Sequence, residues 1–149
     1  MNSIKILLVE DNCDEEELAM RALRRSGITN EVCVVRDGQE AIDYVFAQGP
    51  HAGRKDINDP YVILLDINLP KLNGLEVLKR IRDNEATALI PVVLLTSSDE
   101  ERDMVEGYKL GANSYINKPY DFSEFANQMK MLGTYWLDIN KFPPIKARD

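Results

Sequence analysis

The sequence predicts an α/β protein built on one parallel β-sheet that is doubly wound, with helices on both faces. Aliphatic runs alternate five times with segments of helical periodicity, and this alternation indicates right-handed βαβ crossovers between parallel strands. Within the runs, apolar residues follow one another without polar alternation, which is typical of strands that are buried on both faces. A chain of 149 residues has the length of a single domain with a substantial core.

Five predicted strands alternate with five predicted helices along the chain. The strands are expected over residues 4–9, 31–35, 61–66, 91–96 and 113–117. The helices are expected over about 14–26, 38–48, 74–86, 99–111 and 121–137. Two stretches are expected to be irregular: a polar loop over 48–60 and a proline-containing tail over 140–149.

The last predicted helix has the clearest hydrophobic period. Its apolar residues step by three and four positions along one face, and they are Phe122, Phe125, Met129, Leu132 and Trp136. Asp121 is expected to cap its start, with Glu124 placed to reach back in a capping box. The start of the fourth helix offers two candidate boxes of the same kind, Ser97 with Glu100 and Ser98 with Glu101.

Composition and charge indicate a soluble globular protein that binds neither nucleic acid nor membranes. Hydrophobic residues make up 44% of the chain and charged residues 29%, the balance of an ordinary folded domain. The formal net charge of −7 disfavours phosphate backbones and anionic lipids, which attract Lys and Arg. No signal-peptide pattern and no apolar run of membrane-spanning length is present. Cys13 and Cys33 lack metal-ligand spacing and are expected to be free thiols in a reducing cytoplasm.

Carboxylates follow two of the predicted strands at the point where each strand ends. Glu10 and Asp11 come directly after the first aliphatic run, and Asp66 closes the run "VILLD" of the third. In a doubly wound sheet of strand order 2-1-3-4-5 these two strands are neighbours at the switch point, so the three acids are expected to border one crevice. Two such charges repel by about 4 kcal/mol at close range and intermediate dielectric. A divalent cation would relieve this repulsion, and a few oxygen ligands with open positions suit Mg²⁺ better than Ca²⁺.

Structural roles are the alternative for these acids. Asp66 alone could simply start a turn, and the acidic residues from Asp14 to Glu17 suit the N-terminus of a helix. Helix capping does not explain why Asp66 is expected at the same edge as Glu10.

The ends of the last two strands supply further polar groups to this edge. Thr96 ends the fourth strand, and Lys118 and Pro119 follow the fifth. A hydroxyl donor, an ammonium group, a metal ion and a carboxylate nucleophile are the groups that phosphoryl transfer requires.

Four motifs, in this order, resemble those of the receiver domain of two-component response regulators. They are "ILLVEDN", "ILLDINLPKLNGLEVLKRIR", "PVVLLTSS" and "GANSYINKPY", and the resemblance extends over residues 3 to about 132. It implies a flavodoxin-like fold, Mg²⁺ as the cofactor, and a sensor histidine kinase as the partner that supplies the phosphoryl group. The implied function is a phosphorylation switch within a phosphorelay, not an enzyme that acts on other substrates.

The resemblance also implies which residues bind the metal ion and accept the phosphoryl group. Asp66 is the expected phosphoacceptor and also a metal ligand. Asp11 is the expected direct ligand, Glu10 is expected to act through metal-bound water, and Asn68 is expected to offer its backbone carbonyl.

The resemblance assigns the switch to the other strand ends. Thr96 is expected to bond to the phosphoryl group and Lys118 to pair with it. Tyr115 falls at the aromatic switch position, although a buried aromatic that fills a gap is the alternative. The peptide bond before Pro119 is expected to be cis.

Residues 1–132 are expected to form the receiver domain, and residues 133–149 an extension of the last helix and a tail. No output domain is expected, and the 48–60 loop and the extension look like those of small regulators associated with bacterial phytochrome kinases. We expect a homodimer, or a kinase-docking surface, through the 99–137 face and the extension; the alternative is that Trp136 folds back over its own domain. The family varies the positions of Asn68 and Ser98, which influence the lifetime of the phosphoryl group.

Three other function classes fit the sequence less well. A hydrolase of the haloacid dehalogenase type usually carries a second acid at the position of Asn68, and it needs a cap over its substrate. A histidine phosphotransfer protein would use His51, the single histidine, but such proteins are helical bundles. A phosphate-independent interaction module would not require the cluster of acids.

Overall fold

A single parallel sheet forms the centre of the protein, and its strand order is the one predicted. The computed structural model describes residues 4–97 and 100–143. Their strands are β1 (Lys5–Val9), β2 (Val32–Val35), β3 (Tyr61–Leu65), β4 (Val92–Thr96) and β5 (Ser114–Asn117). All neighbouring strands pair in parallel, in the order β2-β1-β3-β4-β5. The predicted α/β fold and its switch point between β1 and β3 are therefore confirmed.

Four α-helices connect the strands and a fifth follows β5, all close to their predicted positions. They are α1 (Cys13–Arg25), α2 (Gly38–Val45), α3 (Gly74–Asp83), α4 (Glu101–Lys109) and α5 (Phe122–Gly133). A short 3₁₀ turn, Gly49–His51, begins the segment predicted to be a polar loop, and a π-helical segment, Thr134–Ile139, prolongs α5. Among residues 4–97 and 100–143, none of the helices combines the length and the apolar character that crossing a membrane requires.

Short polar side chains begin four of these helices. The side chains of the N-cap residues accept hydrogen bonds from backbone N–H groups of the first turn, and these residues are Asn12, Asp37, Asn73 and Asp121. The predicted cap at Asp121 is thus confirmed. The predicted box at Ser97 is wrong, because α4 begins after Glu100, whose side chain makes no capping bond; Ser98 lies outside the described residues.

The strands bury their side chains in two hydrophobic clusters, one on each face of the sheet. Leu7 and Val9 lie in the first cluster with residues of α2 and α3, whereas Ile6 and Leu8 lie in the second with residues of α1 and α5. This alternation follows from the two-residue period of a strand. Because both faces are covered, β3 and β4 are buried along their whole length, as their aliphatic sequences predict.

The segment after α5 packs against its own domain. Leu137 is buried, and the half-buried Trp136 and Phe142 contact the second cluster. Trp136 therefore follows the alternative in which it folds back. A stripe of exposed apolar residues remains on the outer face of α5 and the π-helical segment, at Met131, Tyr135 and Ile139.

Charged residues hold the 48–60 segment against the N-terminal end of β1 and against α2. Lys5 in β1 forms an ion pair with Asp56, which also accepts a 3.0 Å hydrogen bond from the Arg54 side chain. The Arg54 guanidinium lies 3.7 Å from the centroid of the Tyr44 ring in α2. This segment is therefore ordered by specific contacts despite its polar sequence. On the same side of the sheet, Cys33 is a free thiol.

Candidate functional site

Glu10 and Asp66 lie side by side at the carboxyl edge of the sheet. Val9 at the end of β1 is paired with Leu65 at the end of β3, and the Asp66 backbone N–H donates to the Val9 carbonyl at 3.2 Å. The register of the two strands therefore brings the residues that follow them together. Both acids are almost completely buried, with relative exposures of 3% for Glu10 and 5% for Asp66.

The start of α3 presses against the backbone that carries Asp66. A Cβ atom on Gly74 would lie 2.1 Å from the Asp66 carbonyl oxygen and 2.8 Å from the Ile67 Cα. The Gly74 N–H donates to the Ile67 carbonyl at 2.7 Å, and the Asn68 N–H donates to Asp66 Oδ1 at 3.2 Å. Only glycine permits this close approach, which fixes the backbone on both sides of Asp66.

Lys118 brings a positive charge to the two acids. Its backbone N–H donates to the carbonyl of Thr96 at 2.8 Å, which places Lys118 just beyond the ends of β4 and β5. Its ammonium group hydrogen-bonds Glu10, and lies 3.6 Å from Asp66 Oδ2 and 3.4 Å from Glu15 Oε1. The side chain is only 11% exposed, so water screens these contacts weakly.

Burial and charge shift the acid–base properties of this group of residues. Desolvation raises the pKa of Glu10 to about 7, although the hydrogen bond from Lys118 acts in the opposite direction. Burial alone would lower the pKa of Lys118, but the hydrogen bond to Glu10 and the charges of the neighbouring carboxylates outweigh it and raise that pKa. Lys118 is therefore an ammonium at neutral pH, whereas Glu10 titrates close to neutrality.

Three carboxylates form a cluster that fits a divalent cation. Each of Glu10, Glu15 and Asp66 offers an oxygen, and these oxygens lie within 4.8 Å of one another. Oxygen donors without nitrogen or sulfur suit a hard ion such as Mg²⁺ or Mn²⁺. We call Glu10, Glu15 and Asp66 the acid cluster.

Asp11, the predicted direct metal ligand, lies outside the acid cluster. Its side chain is exposed, and it stands between the buried Glu10 and the N-cap residue Asn12, whose backbone is extended. Successive side chains of extended backbone point to opposite sides, so burial of Glu10 leaves Asp11 towards solvent. The expectation that Glu10, Asp11 and Asp66 come together is thus met by Glu10 and Asp66, with Glu15 as the third member.

Glu15 is a member of the acid cluster that was not predicted from the sequence. The side chain of Asn12 accepts hydrogen bonds from the N–H groups of Asp14 and Glu15, at 2.9 and 3.0 Å, and so places Glu15 in the first turn of α1. The acidic residues from Asp14 to Glu17 all suit a helix N-terminus, so the sequence does not distinguish Glu15 from its neighbours. The available signal was position, because Glu15 falls in the first turn of the helix that directly follows the acids at the end of β1.

The structure places the predicted switch residues as follows. Thr96 is fully buried at the end of β4. Tyr115 in β5 is half-buried and packs against the first hydrophobic cluster, close to where Gly107 of α4 passes over the sheet.

The peptide bond before Pro119 is trans, since the described ranges 4–97 and 100–143 contain no cis bond. The expectation of a cis bond is therefore wrong; the trans isomer is the intrinsically favoured one.

Comparison with known proteins identifies the family. Residues 6–130 match the family model described as the response regulator receiver domain. The chain is 39% identical over 138 residues to a probable methanogenesis regulatory protein, FilR2, of Methanothrix harundinacea, covering 93% of this chain and 86% of that protein. It is 36% identical to the response regulator Rcp1 of Synechocystis sp., again over 138 residues, covering 93% of this chain and 92% of that protein.

The solved structures agree with the sequence comparison. The phosphorylated cyanobacterial phytochrome response regulator RcpA has a TM-score of 0.86 and 38% identity, with 95% of this chain and 99% of that chain covered. The Mn²⁺-bound form of Rcp1 has a TM-score of 0.82 and 35% identity, covering 94% and 99%. Receiver domains bind divalent metal, which agrees with the acid cluster. The chain therefore belongs to the response regulator receiver domain family.

Proposed function

We propose that this protein is a response regulator that accepts a phosphoryl group on Asp66 from a sensor histidine kinase, and that it signals through protein contacts. The kinase is proposed to be phytochrome-like, because two of the similar solved structures are by name a phytochrome and a bacteriophytochrome response regulator. The proposal includes a cytoplasmic location, where a kinase has access to ATP. It includes no turnover of another substrate beyond the protein's own phosphorylation and slow dephosphorylation.

The observation that carries this proposal is the ammonium of Lys118 held beside the buried Asp66 carboxylate. In the proposed step, an oxygen of Asp66 attacks phosphorus, the bond from phosphorus to the histidine nitrogen breaks, and the imidazole keeps the electron pair and takes a proton. Lys118 and the buried Thr96 hydroxyl are proposed to stabilise the charge on the transferred group. Because this chemistry needs positioning and charge compensation, a preformed buried site suits it.

Mg²⁺ is the proposed metal ion. Glu10 and Asp66 would hold it, with Asp11 and the Asn68 carbonyl as further proposed ligands. When bound, it would neutralise charge on the phosphoryl oxygens. Few protein ligands imply weak binding, since Mg²⁺ keeps several of its waters.

Incubation with phosphoramidate and Mg²⁺, followed by intact-mass measurement, tests the proposal. The wild type should gain one phosphoryl group that is lost in alkali, as acyl phosphates are. Asp66→Asn should gain none. Phosphorylation of Asp66→Asn at the wild-type rate would show that the acceptor lies elsewhere.

The metal requirement is tested separately with Asp11. Asp11→Ala should lose Mg²⁺-dependent phosphorylation and keep its fold, because an exposed acid contributes little to stability. An exposed acid of the neighbouring helix turn, Asp14, provides the matched control as Asp14→Asn. Full phosphorylation of Asp11→Ala would contradict a direct role of Asp11. Full phosphorylation of the wild type in excess chelator would contradict a role of the metal ion.

Phosphorylation is proposed to remodel the face formed by α4, β5 and α5. Contacts of the phosphoryl group with Thr96 and Lys118 would draw the ends of β4 and β5 inward, and Tyr115 is the proposed aromatic switch. The exposed stripe Met131, Tyr135 and Ile139 extends this face, and it supports a homodimer.

Surface substitutions test the dimer better than truncation does. Removal of the chain after Leu132 would uncover the second hydrophobic cluster, because Leu137 covers it. The double variant Met131→Lys and Tyr135→Lys changes only exposed side chains. Sedimentation with and without phosphodonor should give a dimer for the wild type and a monomer for the variant. A wild type that stays monomeric in both conditions would rule the dimer out.

A further inference from the structure

Lys118 contacts three carboxylates, and the proposed phosphorylation explains only two of them. Asp66 is the proposed acceptor, and Glu10 is its buried neighbour in the metal site. Glu15 is the third, with its Oε1 only 3.4 Å from the Lys118 ammonium. Glu15 belongs to the acid cluster, but neither the proposed Mg²⁺ ligands nor the proposed transfer step includes it.

Glu15 is fixed in place and stands on the solvent side of the acid cluster. Its backbone N–H is bonded to the side chain of Asn12, so the first turn of α1 holds its position. Its side chain is 35% exposed, whereas those of Glu10 and Asp66 are 3% and 7% exposed. Lys118 thus lies between two buried carboxylates and one that is partly open to water.

We propose that Glu15 is a positioning residue that holds the Lys118 ammonium in the resting state and restrains its movement to a phosphoryl group on Asp66. This inference rests on the proposed phosphorylation of Asp66. A phosphoryl group carries more negative charge than a carboxylate, so it draws the ammonium towards Asp66 and away from Glu15. Glu15 therefore binds Lys118 better in the resting state than in the phosphorylated state. A contact of this kind shifts the equilibrium towards the resting state.

Loss of the contact between Glu15 and Lys118 should raise the rate of phosphorylation by a predictable factor. Glu15→Gln removes the charge and keeps the length of the side chain. At saturating Mg²⁺, the initial rate of phosphorylation by phosphoramidate should rise about tenfold, which is the effect of one close charge contact that is largely screened by water, because the Glu15 side chain is 35% exposed. Glu15→Asp keeps the charge and should stay closer to the wild-type rate than Glu15→Gln does.

A matched control separates this effect from the general loss of an acid in α1. Asp14 lies in the same helix turn and is exposed. Its carboxylate is expected to interact with the helix dipole as that of Glu15 does. Asp14→Asn should therefore phosphorylate at the wild-type rate. An equal acceleration in Asp14→Asn and Glu15→Gln would contradict a specific role of Glu15.

A double-variant comparison tests whether Glu15 acts through Lys118. In a Lys118→Met background, which has no ammonium to release, Glu15→Gln should change the rate by less than about twofold. Phosphorylation of the Lys118→Met variants is expected to be slow, and intact mass after long incubation measures it as well. A tenfold acceleration that persists without Lys118, or a Glu15→Gln rate equal to that of the wild type, would overturn the inference. A wild type that gains no phosphoryl group at all would instead overturn the proposed function, and the inference with it.

Discussion

Replacement of Gly74 by alanine should disturb both the stability of the protein and the position of Asp66. A Cβ atom at this position would lie 2.1 Å from the Asp66 carbonyl oxygen, whereas ordinary contacts begin at 3.4 Å. The start of α3 or the backbone of Asp66 must therefore move by about 1.3 Å. The atoms nearest to the added Cβ, the Asp66 carbonyl oxygen and the Ile67 Cα, both belong to the backbone, so no flexible side chain can move aside.

The energetic cost follows from this displacement. Overpacking of a close contact costs roughly 1–3 kcal/mol. The better helix propensity of alanine offsets at most about 1 kcal/mol, and less at the first residue of α3. We expect a net loss of about 2 kcal/mol in the free energy of unfolding, which lowers the thermal midpoint of a protein of this size by roughly 4–8 °C.

The functional consequence should exceed the loss of stability. A shift of about 1 Å in a reacting group can lower a rate by about 100-fold, so Gly74→Ala should phosphorylate on Asp66 at least about tenfold more slowly at a temperature where it is folded. Thermal denaturation followed by circular dichroism, and intact mass after phosphoramidate treatment, measure the two effects. Gly53→Ala is the control, because a Cβ on Gly53 has no atom within 4 Å. A Gly74→Ala protein with wild-type midpoint and rate would refute the reasoning.

Three further predictions concern charged residues. Lys118→Ala leaves the acid cluster without its counter-charge, so it should lose roughly 3 kcal/mol of stability, and added Mg²⁺ should raise its thermal midpoint more than that of the wild type; equal responses would contradict this. Burial alone would raise the pKa of Asp56, but hydrogen bonds from Lys5 and Arg54 lower it overall from its ordinary value of 3.8. The stability that ionised Asp56 contributes is therefore present above pH 3.8 and is lost as the pH falls through the lower, folded-state pKa. Urea denaturation should show Asp56→Asn less stable than wild type by about 1 kcal/mol at pH 7, and a difference unchanged at low pH would refute the assignment. The half-buried Arg82 donates to the carbonyl oxygens of Gly111, Ala88 and Ile90 and to the side chain of Asn113. Arg82→Lys cannot reproduce this fork and should cost about 2 kcal/mol in the same assay, whereas Lys79→Arg at an exposed position should cost nothing measurable.

The strand order and the proximity of Glu10 to Asp66 were predictable from the sequence alone. Parallel strands linked by helices all end at the same edge, and neighbouring strands at the switch point place their next residues together. The predicted strand "YVILLD" differs from β3 by one residue, and that residue is Asp66 itself. These features depend on local pattern and on chain connectivity, which the sequence contains.

The composition of the site beyond these two acids depended on tertiary structure. Asp11 and Glu15 both carry a carboxylate, and the sequence favoured Asp11 because it adjoins the strand. The start of α1 at Cys13, set by the cap at Asn12, decides that Glu15 reaches Lys118 and that Asp11 stays exposed. Which way a side chain points after a strand depends on the exact rotation of the next helix, and that rotation is set by packing.

The C-terminal segment shows the same division. The apolar stripe of α5 was predictable from its period, and Phe125, Met129 and Leu132 are buried as expected. The sequence did not determine whether Trp136 covers its own domain or is left for a partner. A Cβ on Gly133 would lie 2.1 Å from a side-chain carbon of Ile28, so the end of α5 lies close against Ile28, the chain continues past it, and Leu137 is buried in the second cluster. The hydrophobic effect favours burial of an apolar side chain against any apolar surface. The sequence could therefore predict that these residues are buried. Only the packed domain determines that they are buried against their own core and not against a partner.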